Sequence, residues 1–290
     1  MKIYNLGSLN IDYVYSVEDF VRPGETIASA ELCINAGGKG LNQSVALARA
    51  GAKVIHGGAI GTDGEFLKEL LKDSGADTTK IKTDSGKTGH AIIQVNKSGQ
   101  NCIILYKGAN HTITPEYIED FLSDAQSGDI LLLQNETNCI KEAMLTAHNK
   151  GMQIAFNPSP FEKAILDLPI ELVDWWFLNE IEGEEISGKK EPYEIAEELL
   201  IRYLDSNIIL TLGKNGCILK NKDITFHQPI IESCVADTTA AGDTFTGYFL
   251  AQTANGKDAK EAIFIATKAS SIAVSRKGAA PSIPTIDEVI

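Results

Sequence analysis

The chain has 290 residues, of which 43% are hydrophobic and 22% charged, and this composition excludes a disordered, collagen-like or coiled-coil protein. The formal net charge of −13 disfavours nucleic acid and anionic membranes as partners, because like charges repel. The longest apolar runs fall far short of the ~18 residues that span a bilayer, and the cysteines are scattered without a C-x-x-C pair. We therefore expect a cytoplasmic protein that binds neither nucleic acid nor membrane.

Short apolar runs alternate with longer amphipathic stretches along most of the chain. The apolar runs lie at 53–60, 129–133, 153–156, 174–178 and 207–212, and the amphipathic stretches at 65–74, 139–150 and 192–204. Such alternation is typical of βαβ units, in which helices cover both faces of a mostly parallel sheet. No internal repeat or Pro/Ser-rich linker divides the chain, so we predict a single α/β domain over residues 1–290.

Two regions break this alternation. Residues 13–17 and 27–34 form short β-like pieces around Arg22-Pro23-Gly24, and 88–95 with 101–106 have the pattern of a hairpin. We expect these segments, about 12–36 and 88–107, to form a small sheet that stands apart from the core as a lid. The alternative is an extra antiparallel edge on the main sheet.

Three common active-site motifs are absent from the sequence. There is no G-x-x-x-x-G-K-[ST], no G-x-G-x-x-G after the first strand and no G-x-S-x-G. A Walker nucleotide site, a dinucleotide fingerprint and a serine nucleophile elbow are therefore not expected.

A glycine-rich turn, Gly37-Gly38-Lys39-Gly40, leads into a predicted helix. The glycines allow the backbone to approach a ligand closely. Lys39 opposes the helix macrodipole by ~0.3–1 kcal/mol, so helix stability does not explain it, whereas a ligand hydroxyl or phosphate would. The alternative is a plain turn with a solvated lysine.

A second segment, 237–247, reads DTTAAGDTFTG and starts another predicted helix. Small residues around Gly242 leave several backbone N–H groups free to stabilise the charge on a transferring phosphoryl group. Asp243 could then orient a hydroxyl in line with that group, because a loose transition state lets the proton leave late. The alternative for Asp243 is a helix-capping residue.

These two segments resemble the two signatures of the PfkB family of carbohydrate kinases, with a closer resemblance to its ribokinase branch over essentially the whole chain. The resemblance implies a ribokinase-like three-layer α/β/α sandwich with a small β-sheet lid. It also implies ATP-dependent phosphorylation of a sugar hydroxyl, first of all D-ribose at O5, with Mg²⁺ bound alongside ATP and K⁺ as an activating cation. A homodimer that pairs the exposed lid strands is a further implication.

The same resemblance implies a role for each matching residue. The implied sugar-binding residues are Asn10, Asp12, Gly38, Lys39, Asn42, Glu136 and Asp243. Asp243 is the implied catalytic base, and the implied anion hole is formed by Ala240, Ala241 and Gly242. The implied nucleotide-binding residues are Asn179, Glu182, Thr211, Gly213, Gly216 and Gly242. The implied K⁺ loops contain Asp237, Thr239, Ala273, Arg276, Gly278 and Ser282.

Some alternatives remain open at this stage. The sugar could instead be fructose or ketodeoxygluconate, and Tyr13 and Tyr15 keep a nucleoside such as adenosine in play as an aromatic surface for a base. A catalytically idle sensor is a further alternative, although Asp243 and Gly242 are both present. Ala240 stands where most of the wider family has glycine, so we expect the backbone there to be accessible to an L-residue.

Overall fold

The computed structural model describes all residues from 1 to 290. Its strands are β1 (Ile3–Leu6), β2 (Asn10–Ser16), β3 (Glu31–Gly37), β4 (Val54–Ile60), β5 (Ile81–Thr83), β6 (Gly89–Val95), β7 (Asn101–Tyr106), β8 (Ile130–Gln134), β9 (Gln153–Asn157), β10 (Trp175–Asn179), β11 (Asn207–Thr211), β12 (Cys217–Lys220) and β13 (Thr225–Gln228). Its helices are α1 (Lys39–Arg49), α2 (Glu65–Asp73), α3 (Pro115–Phe121), α4 (Ile140–Asn149), α5 (Glu180–Ser187), α6 (Pro192–Arg202), α7 (Ala241–Ala254), α8 (Ala259–Val274) and α9 (Ile286–Val289). None of the helices combines the length and the apolar character needed to cross a bilayer.

The core is a nine-stranded sheet in the order β13-β12-β11-β10-β9-β8-β1-β4-β5. Its strands from β11 to β5 pair in parallel, and β12 and β13 add an antiparallel hairpin at one edge. The hairpin and β5 were not predicted, because they are short and lack a long apolar run.

Helices cover both faces of this sheet. Alternate residues of β8 point to opposite sides, so Ile130 and Leu132 pack with α1, α7 and α8, whereas Leu131 and Leu133 pack with α3, α4 and α6. Both sets of side chains are fully buried, which explains why β8 reads as a continuous apolar run rather than an alternating one. This arrangement confirms the predicted three-layer α/β/α fold.

A second sheet of four strands, in the order β3-β2-β6-β7, stands apart from the core sheet. Its strands come from the two segments that interrupt the sequence alternation, and they do not extend the edge of the main sheet. The β3 strand begins later than the β-like piece expected at 27–34. Asn10 pairs with Gly37 on one side and Gly89 on the other, so three strands of this lid sheet meet the core at one row.

The carboxyl ends of the parallel core strands lie along one edge of the molecule. In parallel α/β sheets this edge is where ligands bind, because loops from several strands converge there. Several of the polar residues predicted from the sequence lie at this edge: Glu136 follows β8, Asn179 and Thr211 end β10 and β11, and Lys39, Asn42 and Glu182 lie in the first turns of α1 and α5.

Candidate active site

The glycine-rich turn brings the start of α1 against the end of β1. Gly38 is the N-cap residue of α1 and has a φ of 96°, a conformation that favours glycine. A Cβ atom at Gly38 would lie 2.9 Å from the Ser8 carbonyl oxygen and 3.1 Å from the Asn10 nitrogen. The turn therefore requires glycine both for its conformation and for its close contact with the 8–10 segment.

Asn10 and Asp12 lie on the same face of β2, because side chains alternate along a strand. The Asn10 side chain is buried, and its Oδ1 accepts a hydrogen bond of 2.7 Å from Nδ2 of Asn110. Asn110 in turn accepts a 2.9 Å bond from the backbone N–H of Leu9. Asn110 was not identified from the sequence, since it belongs to no motif and lies 100 residues from Asn10.

Two carboxyl groups share this part of the site. Burial, followed by the nearby carboxylate of Glu136, raises the pKa of Asp12 to about 7. Glu136 is held in place through Oε2, which accepts a 2.9 Å hydrogen bond from the Lys39 backbone N–H and another from the Ser8 hydroxyl. The two carboxyl groups therefore offer several acceptor oxygens beside the glycine-rich turn.

The Lys39 side chain lies within electrostatic range of three acidic groups. Burial disfavours its charged form, but the carboxylates of Asp243, Glu136 and Glu182 outweigh burial, and the pKa of Lys39 is raised. The ammonium group therefore stays protonated at neutral pH and faces three carboxylates. Lys39 is half-buried and lines a polar cleft, which differs from the alternative of a solvated lysine on a plain turn.

Asp243 lies in the first turn of α7 and is 8% exposed. Its carboxylate accepts a 3.2 Å hydrogen bond from Nδ2 of Asn42 and a 2.9 Å bond from Nε2 of Gln43. Both donors belong to α1, and no backbone N–H of α7 donates to the Asp243 side chain. Asp243 therefore joins the two glycine-containing segments and does not cap its own helix.

The start of α7 presents unpaired backbone donors beside Asp243. Gly242 and Asp243 have no backbone acceptor for their N–H groups, as expected for a first helical turn. Ala240 is the N-cap residue, with φ 59° and ψ 11°. This left-handed conformation is allowed for alanine but easier for glycine, so the backbone at position 240 accommodates an L-residue, as expected.

The N-x-x-E motif caps α5. Oδ1 of Asn179 accepts a 2.9 Å bond from the Glu182 N–H, and Oε2 of Glu182 accepts a 3.0 Å bond from the Asn179 N–H. The other Glu182 oxygen accepts from the Ser159 hydroxyl. Because both residues also line a polar cleft of about 220 Å³ with Lys39 and Asp243, capping accounts for only part of their environment.

A larger cleft of about 520 Å³ adjoins the polar cleft. Two segments line this cleft. The end of β11 and the turn after it contribute Thr211, Gly213 and Gly216, and the start of α7 contributes Ala241 and Gly242. Its remaining wall includes the apolar side chains of Ile230, Ile231, Val235, Phe245 and Val274. A cleft with a polar end and an apolar wall suits a nucleotide, whose phosphates and base have opposite requirements. The 230–235 wall was missed because that segment carries no motif.

The 237–239 and 276–282 loops are held together by Asp237. Its Oδ1 accepts from the Thr239 N–H at 2.9 Å and hydroxyl at 2.6 Å, and its Oδ2 accepts from the Gly278 N–H at 2.9 Å. Burial opposes the charged form, but the bonds from Thr239 and Gly278 outweigh it and hold the pKa of Asp237 below its usual value. The loops are thus pre-arranged around an acidic group.

These loops offer oxygen ligands of the kind that a hard cation prefers. The Ser282 hydroxyl donates to the Ala279 carbonyl at 2.8 Å and keeps its lone pairs. The Arg276 guanidinium instead pairs with Glu288 at 2.6 Å, so only the Arg276 carbonyl could face a cation. The Ala273 carbonyl already accepts from the Arg276 N–H and is the least available of the predicted ligands. No three His, Cys, Asp or Glu side chains converge as a metal-binding group.

Lys39, Asp243 and the predicted nucleotide-binding residues line the two adjoining clefts. The other predicted sugar-binding residues do not line either cleft, although Glu136 accepts from the Lys39 N–H and Asn42 donates to Asp243. The predicted K⁺ loops lie directly before α7 and directly after α8 in the chain. Sequence reasoning missed Gln43, Asn110, Asn157 and Ser8. Gln43 could have been noticed, because it follows Asn42 at the same helical end.

Comparison with known proteins gives a consistent result. The family model described as pfkB family carbohydrate kinase matches residues 2–286. The ribokinase of Haemophilus influenzae is 38% identical over 98% of this chain and 96% of its own length. A ribokinase from Cryptococcus neoformans solved with ADP is 33% identical, with a TM-score of 0.88 over 99% of this chain and 98% of its own.

A third relative has a lower sequence identity to this chain but a higher TM-score than the Cryptococcus neoformans ribokinase. The Arabidopsis thaliana ribokinase solved with ribose and ATP is 27% identical, with a TM-score of 0.90 over 99% of this chain and 97% of its own. The fold, the two glycine-containing segments joined at Asp243 and the family match over nearly every residue all agree. This chain belongs to the pfkB family of carbohydrate kinases.

Proposed function

We propose that this protein is an ATP-dependent ribose kinase that transfers the γ-phosphoryl group of ATP to the O5 hydroxyl of D-ribose. Full-length relatives named ribokinase, at 38% identity, support this substrate. The observation that carries the proposal is the position of Asp243 in the first turn of α7, on the proposed nucleotide side. Its buried carboxylate accepts hydrogen bonds from two side chains of α1, on the proposed sugar side.

In this proposal Asp243 accepts the proton of the sugar hydroxyl as the new oxygen–phosphorus bond forms and the bond to ADP breaks. Lys39 and the free N–H groups at the start of α7 stabilise the negative charge that spreads over the transferring group. When bound with the nucleotide, Mg²⁺ supplies further charge neutralisation on the phosphate oxygens. The buried Glu182 carboxylate, a hard oxygen ligand at the polar cleft, is suited to hold it directly or through water.

The sugar end of the site is rich in fixed hydrogen-bonding groups. Asn10, Asp12, Asn42 and Glu136, together with Lys39, offer both donors and acceptors to the hydroxyl groups of a small sugar. An analogue that leaves one such group unpaired loses about 1–3 kcal/mol of binding. This is the physical basis of the proposed preference for ribose.

The aromatic side chains on β2 do not favour a nucleoside as the acceptor. Tyr13 and Tyr15 alternate with Asp12 along the strand, so they lie on the opposite face of the lid sheet. Tyr13 packs edge-on against His90 there, with ring centroids 5.8 Å apart. The face that carries Asn10 and Asp12 has no aromatic platform from β2.

Two finer proposals follow from the loops and the lid. K⁺ bound by Asp237, Thr239, Gly278 and Ser282 would order the turn that precedes α7 without touching substrate. We expect K⁺ to raise kcat and Na⁺ to substitute poorly, and equal rates in K⁺, Na⁺ and cation-free buffer would reject this site.

The exposed apolar residues of β3 and β7 would be covered by the lid of a second copy in a homodimer.

The decisive experiment for the catalytic assignment is Asp243→Asn. This nearly isosteric change removes the proton acceptor, so we expect kcat to fall by about 10²-fold or more while ribose binding measured by calorimetry is largely retained. A variant with near-normal kcat would show that Asp243 is not the base.

The substrate assignment is tested by a panel of acceptors. Ribose should exceed fructose and 2-deoxyribose in kcat/KM by about tenfold or more, because each missing hydroxyl leaves a buried group unpaired. Asp12→Ala should raise the KM for ribose strongly and leave the KM for ATP nearly unchanged. A preference for adenosine or fructose, or an unchanged ribose KM in the variant, would contradict this assignment.

A further inference from the structure

Gln43 contacts the Asp243 carboxylate from beneath the site, where it is completely buried among protein groups. We propose that Gln43 is a positioning residue for the phosphoryl transfer, and that Gln134 fixes the direction in which the Gln43 amide points. This inference rests on the proposed role of Asp243 as the base. Neither glutamine belongs to the residues implied by the sequence motifs.

The contact depends on which end of the Gln43 amide faces Asp243. Nε2 of Gln43 donates to Oδ1 of Asp243 at 2.9 Å, and Oε1 of Gln43 accepts from Nε2 of Gln134 at 2.6 Å. An amide has one donor end and one acceptor end, so a reversed Gln43 would present its oxygen to a carboxylate oxygen. The orientation therefore decides whether the contact is attractive or repulsive.

The orientation is determined by a backbone carbonyl at the far end of a chain of amides. The Gly40 carbonyl can only accept, and Nδ2 of Asn5 donates to it at 2.9 Å. Oδ1 of Asn5 then faces Nε2 of Gln134 at 3.0 Å, and that nitrogen also serves Gln43. Each amide fixes the next, from Gly40 through Asn5 and Gln134 to Gln43.

A second, independent anchor gives the same orientation. The Phe177 carbonyl accepts a 2.8 Å bond from Nδ2 of Asn157, so Oδ1 of Asn157 points away from it. That oxygen accepts a 3.2 Å bond from Nε2 of Gln43. Two carbonyls, that of Gly40 in α1 and that of Phe177 in β10, therefore require the Gln43 nitrogen to face Asp243 and Asn157.

Close packing of α1 against α7 makes this contact possible. A Cβ atom at Gly247 would lie 2.9 Å from the Leu47 nitrogen and 3.0 Å from the Gln43 carbonyl oxygen. Glycine at this position lets the two helices approach, which brings the Gln43 side chain within reach of Asp243. Asn42 holds the other Asp243 oxygen but also faces the proposed sugar space, whereas Gln43 contacts only protein.

The first test compares Gln43→Met with Gln252→Met. Gln252 is also buried between α1 and α7 but donates to the Ala50 carbonyl, well away from Asp243. For Gln43→Met we expect kcat to fall by about tenfold or more while KM for ribose and ATP stays within about threefold. Gln252→Met should keep the wild-type kcat.

The second test examines whether Gln134 acts through Gln43. A carboxylate at position 134 can only accept, so Gln134→Glu should reverse the Gln43 amide and turn its oxygen toward Asp243, lowering kcat by about tenfold. In the Gln43→Met background the same change should alter kcat by less than about twofold. Equal factors in both backgrounds would indicate a merely structural role and overturn the proposal.

Asp243→Asn, measured in parallel, distinguishes a failure of the base role of Asp243 from a failure of the positioning role of Gln43. If that variant keeps its kcat, the assignment of Asp243 as the base fails. If it loses activity but Gln43→Met keeps more than half of the wild-type kcat, only the positioning role is overturned. A Gln43→Met protein whose KM for ATP rises as much as its kcat falls also overturns it. If Gln43→Met does not unfold cooperatively, it is not properly folded, and the proposal is then tested by Gln134→Glu alone. A wild-type kcat in Gln134→Glu rejects the proposal.

Discussion

Two strands with nearly the same apolar sequence have opposite environments in this protein. In β8, Ile130 and Leu132 are fully buried, whereas in β7, Ile103 is 53% and Ile104 is 63% exposed. β8 lies in the middle of the core sheet with helices on both faces, and β7 is the outer strand of the lid sheet with only β6 beside it. An apolar run therefore predicts a strand, but its burial depends on what covers it.

The lid carries this exposed apolar character on both of its faces. Leu32 and Ile34 on β3 and Leu105 on β7 are also more than two-fifths exposed. Contiguous apolar surface of this kind marks an interaction site in soluble proteins. The comparison thus separates side chains that stabilise the fold from side chains that are available for association.

The largest effect on the free energy of unfolding should come from a substitution in the core strand β8. Leu132→Ala should lower the free energy of unfolding by about 2–5 kcal/mol, because the substitution removes a fully buried side chain and leaves a cavity. Urea unfolding followed by circular dichroism measures this loss. A loss below about 1 kcal/mol would mean that β8 and β7 do not differ in the way their burial indicates.

An intermediate, pH-dependent effect is expected where the lid meets the core. The folded-state pKa of Asp12 is about 7, above its ordinary 3.8, so ionisation of Asp12 destabilises the folded protein. The penalty is absent below about pH 4, grows as pH rises toward 7 and is complete above it. Asp12→Asn removes the penalty and should stabilise the ligand-free protein by about 2 kcal/mol at pH 8, after discounting for partial exposure.

The measurement for Asp12→Asn is the difference in unfolding free energy from wild type at pH 5 and at pH 8. The gain should be clearly smaller at pH 5, where the wild-type carboxyl group is mostly protonated. Glu136 must be kept in both proteins, because it is the second cause of the raised Asp12 pKa. A gain that is equal at both pH values would contradict the raised pKa.

The smallest effect should come from the lid. Ile104→Ala removes an exposed side chain, so at low protein concentration we expect a change in unfolding free energy within about 0.5 kcal/mol. If a second copy covers the lid, the wild-type Tm should rise with protein concentration, and Ile104→Asp should abolish that rise. A large loss from Ile104→Ala in the monomer would place Ile104 in the same class as Leu132.

Local sequence signals were sufficient for the fold class and for the two loops that meet at Asp243. Gly38 and Lys39 are recognisable in the sequence as candidate site residues, because glycines and a cation are both unfavourable at the start of a helix. The structure adds that Gly38 has a positive φ. The N-x-x-E motif was also recognisable, and the structure adds that it forms a capping box.

The supporting residues could not be predicted in this way. Gln43 meets Asp243 across 200 residues of chain, and Asn110 meets Asn10 across 100. Such pairs leave no periodic pattern, because they depend on how distant segments pack. The apolar wall at 230–235 and the edge hairpin β12–β13 were missed for the same reason.

Any rotation of the lid would pivot on the single row at which its strands meet the core. Asn10, Gly37 and Gly89 are paired in that row, Asp12 lies two residues beyond it and Ser16 six residues beyond it. At about 3.4 Å per residue these are lever arms of about 7 Å and about 20 Å. A lid rotation of about 10° would shift Asp12 by about 1 Å and Ser16 by about 3.5 Å. The residues nearest the proposed sugar site would thus keep their alignment, while the far end of the lid moves three times as far.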